Sequence, residues 1–156
     1  MDIIFSHRPD YDTPLEETCQ GFNDVINQGL ALYWATSEWT AARITRAIEI
    51  CKHHGWHVPI CDQAQYSGII RNRLELDLEP VFEDYSYGTT IWSPMAGGIL
   101  SGRHNDGNIP EDSRYATNPL VKVFVTPRFF GTEEKKANTL KICHAFRDMA
   151  EKLGCS

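Results

Sequence analysis

Four short apolar runs recur at nearly equal spacing in the first 93 residues, and each is followed by a polar side chain. These polar residues are His7, Ser37, Gln63 and Ser93, so successive intervals are 30, 26 and 30 residues. An interval of about 30 residues accommodates one strand, one crossover helix and their connections. Four such units predict an α/β fold in which helices join parallel strands.

The predicted strands and helices alternate along this part of the chain. The predicted strands cover residues 3–5, 31–34, 58–61 and 89–92. Apolar residues at helical spacing predict helices from Thr13 to Gly29, Thr40 to Gly55, about Leu78 to Tyr85, and about Glu133 to Leu153. From Ser93 to about Thr132 we predict an irregular segment rich in Gly, Pro, Asn and Asp, and loops of that length are usually functional or disordered.

The polar residues at the strand ends are candidate site residues, because parallel strands deliver their C-terminal ends to one face of a sheet. His7 offers an imidazole that can share a proton or polarise a carbonyl, although a histidine there also commonly caps or packs. Ser37 can equally serve a helix N-terminus. The Gln63 amide can satisfy loop backbone, or it can pair with the amide of a ligand.

The segment from Trp92 onward carries the sharpest local signal. An aromatic ring at a strand end offers a flat face for a heterocycle, and small residues after it admit backbone N–H groups to phosphates. The candidates in this segment are Ser93, Pro94, Met95, Ala96 and Gly97. Arg103 and Arg114 add positive charge suited to phosphate. A core tryptophan followed by a turn, with solvated arginines, is the alternative interpretation.

Charge and residue usage exclude several classes of protein. The formal net charge is −6, which argues against nucleic acid as a partner. No apolar run reaches the roughly 18 residues of a membrane span, and no basic N-terminal region predicts a signal peptide, so we expect a cytoplasmic protein without membrane insertion. The five cysteines lack CxxC spacing and are predicted to be mostly buried thiols. The cluster of His53, His54 and His57 lacks further ligands, so no metal site is predicted.

Several linked segments resemble the aldo-keto reductase superfamily, and most closely its voltage-gated potassium channel β-subunit branch. The segments are Ser-His-Arg-Pro-Asp at 6–10, Thr-Pro-Leu-Glu-Glu-Thr at 13–18, the stretch 25–39, Asp-Gln-Ala-Gln-Tyr at 62–66, and the stretches 92–103 and 109–114. The resemblance spans nearly the whole chain. It implies a partial (β/α)8 TIM barrel, about strands 4 to 7 with their helices, as a single partial domain over residues 1–156 that is truncated at both ends.

The resemblance also implies site roles. The family reduces small carbonyl substrates with a hydride from NADPH, so NADP(H) is the implied cofactor. His7 matches the histidine that orients the carbonyl, while Ser37 and Gln63 match residues that hold the nicotinamide carboxamide. Trp92 matches the aromatic that stacks on the nicotinamide ring. The loop from Ser93 to Gly98, with Arg103 and Arg114, matches the segment over the pyrophosphate and adenosine.

The resemblance leaves three functions open. In the first, the resemblance implies an NADP(H)-dependent oxidoreductase domain that is inactive alone, because the family's catalytic Tyr, Lys and Asp fall upstream of this chain. Alternatively it is a channel β-subunit-like regulatory module that binds nucleotide, or a gene fragment without function. Open sheet edges predict self-association, and a potassium channel is the other implied protein partner. Glu38 departs from the family's usual Asn or Arg, and its charge is expected to weaken cofactor binding unless it points outward.

Overall fold

The computed structural model describes residues 1–155, and for Phe124 its backbone only. Ser156, the last residue of the predicted domain, lies outside the described residues. The chain divides into two compact units. The first comprises residues 1–66 and 70–92, and the second comprises residues 67–69 and 93 onward.

The first unit contains one four-stranded sheet in which every neighbouring pair is parallel. Its strands are β1 (Ile3–Ser6), β2 (Tyr33–Ser37), β3 (Cys61–Gln65) and β4 (Gly88–Trp92), and they lie side by side in chain order. The predicted alternation of parallel strands and helices is therefore confirmed.

The predicted bounds of β2 and β3 were wrong, because both strands begin and end two to four residues closer to the C-terminus than predicted. Sequence runs of apolar residues end before Thr36 and Asp62, yet both residues lie inside strands and are fully buried. The Thr36 hydroxyl donates to Asp62 Oδ1 at 2.6 Å. Because buried polar groups that bond to each other lose little on leaving water, the strands extend through them.

Three helices connect these strands. They are α1 (Leu15–Asn27), α2 (Ala41–His54) and α3 (Glu79–Tyr85), and a short π-helical segment, Arg73–Asp77, precedes α3. Helix α2 begins and ends as predicted, with Thr40 accepting a hydrogen bond from Arg43 N and Gly55 closing it in the left-handed region. Helix α1 begins at Leu15 rather than at the predicted Thr13, whose hydroxyl donates to Asp10 and does not cap the helix.

The core of the first unit lies between the helices and the sheet. Phe22 of α1 stacks on Trp34 of β2, with ring centroids 4.7 Å apart and planes within 3°. Helix α2 contributes a buried stripe at helical spacing, Ile44, Ala47, Ile48 and Cys51. Burial of this set is the main contribution to holding helices on the sheet.

The second unit is helical. It contains a 3₁₀ segment (Ala96–Ser101), α4 (Arg114–Thr117), a π-helical segment (Val121–Val125), α5 (Thr126–Phe130) and α6 (Glu133–Leu153). The prediction of a wholly irregular segment was therefore wrong in part, because helices this short leave little periodicity to detect. Helix α6 has its predicted bounds, with a Thr132 cap that accepts from Lys135 N and Gly154 at its end.

A separate apolar cluster forms the core of the second unit. Its buried members are Ala96, Ile99, Tyr115, Val121 and Cys143. The Tyr115 hydroxyl donates to the Ala96 carbonyl at 2.6 Å, which satisfies both polar groups inside this cluster. Within residues 1–155, no helix has both the length and the apolar character required to cross a bilayer.

The cysteines follow the sequence prediction of buried thiols. Cys19, Cys51, Cys61 and Cys143 are free and buried, whereas Cys155 is free and exposed. Burial raises the pKa of the Cys61 and Cys143 thiols, which keeps them protonated.

Candidate functional site

The sheet register aligns three of the predicted site residues. Ser37 pairs with Gln63, and Gln63 pairs with Thr90 of β4. His7 directly follows Ser6, which pairs with Thr36, so His7 stands at the level of Ser37. Trp92, the last residue of β4, pairs with Gln65 and lies two residues beyond Gln63. The C-terminal ends of the strands therefore bring these positions to one edge of the sheet.

Ser37 and Gln63 are joined directly. The Ser37 hydroxyl donates to the Gln63 carbonyl at 2.9 Å, and Ser37 is buried. The Gln63 side-chain amide is partly exposed and lies 3.5 Å from the Thr90 hydroxyl, a long hydrogen bond. The Ser37 hydroxyl thus links β2 to the backbone carbonyl of Gln63 in β3, while the Gln63 side-chain amide keeps hydrogen-bonding capacity for a ligand.

Glu38 lies at the centre of a polar network at this edge. Its Oε1 accepts hydrogen bonds from Trp92 Nε1 at 2.8 Å and from Gln65 N at 2.6 Å. Its Oε2 lies 3.6 Å from an Arg8 guanidinium nitrogen and 3.7 Å from Arg73 Nε. The two cations offset the negative charge of the carboxylate. Glu38 is therefore expected to weaken cofactor binding less than its charge alone predicts.

Asp62 supports this network from inside the sheet. It is fully buried and accepts hydrogen bonds from the backbone N–H groups of Glu38 and Trp39, at 3.1 and 3.2 Å. Burial raises the pKa of the Asp62 carboxyl, because the charged form loses its hydration. Its bonds to Thr36 and to these N–H groups oppose that shift by stabilising the charged form.

His7 and Trp92 remain accessible at the strand ends. The His7 side chain is exposed directly after β1, and Trp92 is 36% exposed. An imidazole and an indole that stay open to solvent can contact a small molecule without a change in the core.

The remaining predicted residues lie in the second unit. Ser93 and Ala96 have φ values of 57° and 49°, and Gly97 and Gly98 follow at 73° and 115°. Gly97 N–H donates to Ser93 Oγ at 3.1 Å, and Ala96 N–H donates to the Ser93 carbonyl at 2.9 Å. The loop is thus a preformed series of tight turns, and these two N–H groups are already paired. Pro94 and Met95 are exposed within it.

The two predicted loop arginines differ. Arg103 forms an exposed ion pair with Asp112, in which Arg103 Nη2 donates to both carboxylate oxygens, at 2.8 and 2.9 Å. The guanidinium lowers the pKa of the Asp112 carboxyl. Arg114 is exposed at the first residue of α4. An exposed ion pair contributes little free energy, so Arg103 can leave Asp112 at small cost.

Sequence analysis missed Asp62 and Arg73 as residues of this site. Their signal is indirect, since Asp62 begins the motif at 62–66 but its partners are 23 to 26 residues away in the chain. Across residues 1–155, no cluster of three His, Cys, Asp or Glu side chains is arranged to hold a metal. His54 is paired with Glu16 at 2.7 Å and stacks on Trp56.

Comparison with known proteins agrees with this architecture. The Aldo/keto reductase family model matches residues 1–156. A "Probable voltage-gated potassium channel subunit beta" from Oryza sativa subsp. japonica is 43% identical over 156 residues, which are 100% of this chain and 45% of the relative. A protein of the same name from Arabidopsis thaliana is 42% identical over 116 residues, which are 74% of this chain and 35% of the relative.

A solved structure extends the comparison to the fold. The glycerol dehydrogenase AKR11B4 from Gluconobacter oxydans is similar with a TM-score of 0.74 at 19% identity, over 100% of this chain and 43% of that chain. The prediction of a partial (β/α)8 barrel with parallel strands is thereby confirmed. The chain spans less than half the length of these relatives. Matched by the family model over its whole length, the chain belongs to the aldo/keto reductase family.

Proposed function

We propose that the chain is an NADP(H)-dependent oxidoreductase domain of the aldo/keto reductase type, and that the ends of β1 to β4 bind the nicotinamide end of the cofactor. One observation carries the proposal: the strand register brings an exposed imidazole, an accessible amide and a partly exposed indole to one sheet edge. We further propose that residues 1–156 act as one partial domain, in the cytoplasm.

The residues at this edge fit a nicotinamide. The Gln63 amide has donors and an acceptor that complement a carboxamide, and its Nε2 lies 3.5 Å from the Thr90 hydroxyl. The Trp92 ring offers the stacking surface, with typical base–aromatic stacking worth about 1–3 kcal/mol. When bound, a nicotinamide cofactor supplies a hydride. His7, exposed beside Ser37 in register, is the group suited to orient a carbonyl oxygen by hydrogen bonding.

The second unit is proposed to contact the anionic part of the cofactor. Its candidates are Ser93, Pro94, Met95, Ala96, Gly97, Arg103 and Arg114. Because the Ala96 and Gly97 N–H groups are already bonded within the loop, the arginines are expected to supply most of the phosphate affinity.

Binding and turnover are tested separately. NADPH titrated into the chain is expected to quench tryptophan fluorescence, because the proposed stack places the nicotinamide against the Trp92 indole. Trp92→Ala is expected to weaken NADPH binding roughly 5- to 100-fold, the range given by one lost stack. Leu32→Ala, at an exposed apolar side chain just before the N-terminal end of β2, is the control. Equal affinity of the wild-type chain and Trp92→Ala would refute the proposed site.

We expect no turnover by the chain alone, because the resemblance assigns none of its tyrosines to the proton-donor role. General acid catalysis commonly contributes 10² to 10⁴-fold. NADPH oxidation with small aldehydes, followed by absorbance, measures this directly. Steady oxidation that depends on aldehyde would contradict the expectation and would make the chain a reductase in its own right.

A second function is favoured by the 42% and 43% identities to proteins named as potassium channel β-subunits. In that case the nucleotide is a regulatory ligand and a potassium channel is the partner. Co-precipitation with a channel's cytoplasmic region, with and without NADP(H), separates the two functions. Binding to the channel that changes with nucleotide favours the regulatory module, whereas aldehyde turnover without channel binding favours the oxidoreductase.

A further inference from the structure

We propose that Glu38 is a positioning residue, whose carboxylate fixes the Trp92 indole at the end of β4. The functional meaning of this role rests on the proposed stacking of Trp92 on nicotinamide. Residue identity alone predicts the opposite effect for Glu38, since a carboxylate repels an anionic cofactor. The contacts of its side chain carry the inference.

The backbone of Glu38 is held in an uncommon conformation. Its φ is +58°, in the left-handed region that residues other than glycine rarely adopt. Asp62, fully buried, accepts hydrogen bonds from Glu38 N–H and Trp39 N–H, and so holds the turn after β2. The direction in which Glu38 leaves the sheet edge is therefore set by a buried group.

The carboxylate of Glu38 is saturated with donors and cations. Oε1 accepts from Trp92 Nε1 and Gln65 N, at 2.8 and 2.6 Å, and Oε2 faces Arg8 and Arg73 at 3.6 and 3.7 Å. Hydrogen bonds to a carboxylate are stronger than neutral ones. The side chain is only 19% exposed, so water competes weakly for these positions.

This network restrains the ring of Trp92. An indole has a single polar atom, its N–H nitrogen. In Trp92 this N–H donates a hydrogen bond to Glu38, although Trp92 is 36% exposed. A ring fixed before binding loses less rotational freedom when a ligand stacks on it. Because Arg8 and Arg73 offset the carboxylate's charge, Glu38 contributes position with little net repulsion of an anionic ligand.

Indole N–H resonances of the ¹⁵N-labelled chain test the contact without any ligand. The chain has four tryptophans, and Trp92→Phe identifies the resonance of Trp92. We expect that resonance to lie downfield and to exchange slowly with solvent in the wild type. Glu38→Ala should move it to the position of a solvated indole, and Glu38→Gln, which keeps an acceptor, should retain most of the shift.

A matched control, and readouts that do not depend on Glu38→Ala, keep the test decisive. Glu49→Gln is the matched control, because Glu49 is exposed and pairs with Lys52 rather than with an indole. If Glu38→Ala does not fold, slow N–H exchange in the wild type and retention of the shift in Glu38→Gln still support the contact. Fast exchange in the wild type, or a resonance that a folded Glu38→Ala leaves unmoved, would overturn it.

NADPH affinity separates position from charge. Glu38→Gln removes only the carboxylate charge, so it should bind NADPH at least as tightly as the wild type. Glu38→Ala also releases the Trp92 ring, so it should bind NADPH about 3- to 10-fold more weakly than Glu38→Gln. Equal affinity of the two variants would overturn the positioning role. A wild-type chain that binds no NADPH refutes the proposed function alone, because the indole resonances still decide whether Glu38 fixes the ring.

Discussion

Replacement of Asp62 by alanine should destabilise the protein more than any exposed carboxylate replacement. Asp62 is fully buried and accepts from the Thr36 hydroxyl and from the N–H groups of Glu38 and Trp39. Each buried donor left without a partner costs about 1–3 kcal/mol. Removal of a buried carboxylate returns part of this, so the expected loss for Asp62→Ala is about 2–4 kcal/mol.

Thermal unfolding followed by circular dichroism measures the effect. At about 2–4 °C per kcal/mol for a chain of this size, Tm should fall by roughly 5 to 15 °C. Asp84→Ala, at an exposed position in α3, is the control and should stay within about 0.5 kcal/mol of the wild type. An Asp62→Ala protein as stable as the control would refute the role given to the buried hydrogen bonds.

The pH dependence of Asp62→Asn extends this prediction. Since burial raises the pKa of Asp62 in the folded state, the folded protein holds this proton at pH values where the unfolded chain has lost it. Stability from the protonated form is present below the ordinary Asp pKa of about 3.9 and is lost as pH rises through the folded value. The wild type's advantage over Asp62→Asn should narrow as pH rises, and a widening advantage would contradict the assigned shift.

Three further predictions use other parts of the chain. Gly97→Ala should lower the free energy of unfolding by about 1–2 kcal/mol, because φ is +73° and the new Cβ would lie 3.0 Å from Tyr115 Oη. Gly21→Ala in α1 should instead raise the free energy of unfolding by about 0.5–1 kcal/mol. Urea titration compares the two variants, and a destabilised Gly21→Ala would contradict this prediction. Asp112→Asn should leave Tm essentially unchanged, because the pair with Arg103 is exposed. By releasing Arg103, it should raise NADPH affinity about 2- to 5-fold in a fluorescence titration, and unchanged affinity would exclude Arg103 from binding. The unpaired outer edges of β1 and β4 should produce self-association in analytical ultracentrifugation, and a monodisperse monomer with cooperative unfolding would contradict it.

Sequence signals correctly predicted the helices whose ends depend on residues close together in the chain. Helix α6 and helix α2 have clear caps, with Thr132 and Thr40 at their starts and glycines in the left-handed region at their ends. These signals depend on residues within four positions of each other, so a sequence displays them directly. The same holds for the existence of four strands, which apolar runs mark.

Local sequence signals could not predict the bounds of β2 and β3, nor the polar network at the ends of these strands. Thr36 and Asp62 look like loop residues until their mutual hydrogen bond, across 26 positions of sequence, is known. The bond between Glu38 and Trp92 spans 54 positions, so the local sequence around neither residue indicates it. Such contacts depend on strand register, which apolar patterning specifies only in part.

The most direct test of the proposed function is a titration of the ¹⁵N-labelled chain with NADP⁺, followed by backbone and indole chemical shifts. The account predicts changes concentrated at the C-terminal ends of the strands, at His7, Gln63 and Trp92, with the outer helices α1 and α2 unaffected. Changes confined to those helices, or no saturable change at all, would contradict a nicotinamide site at the strand ends.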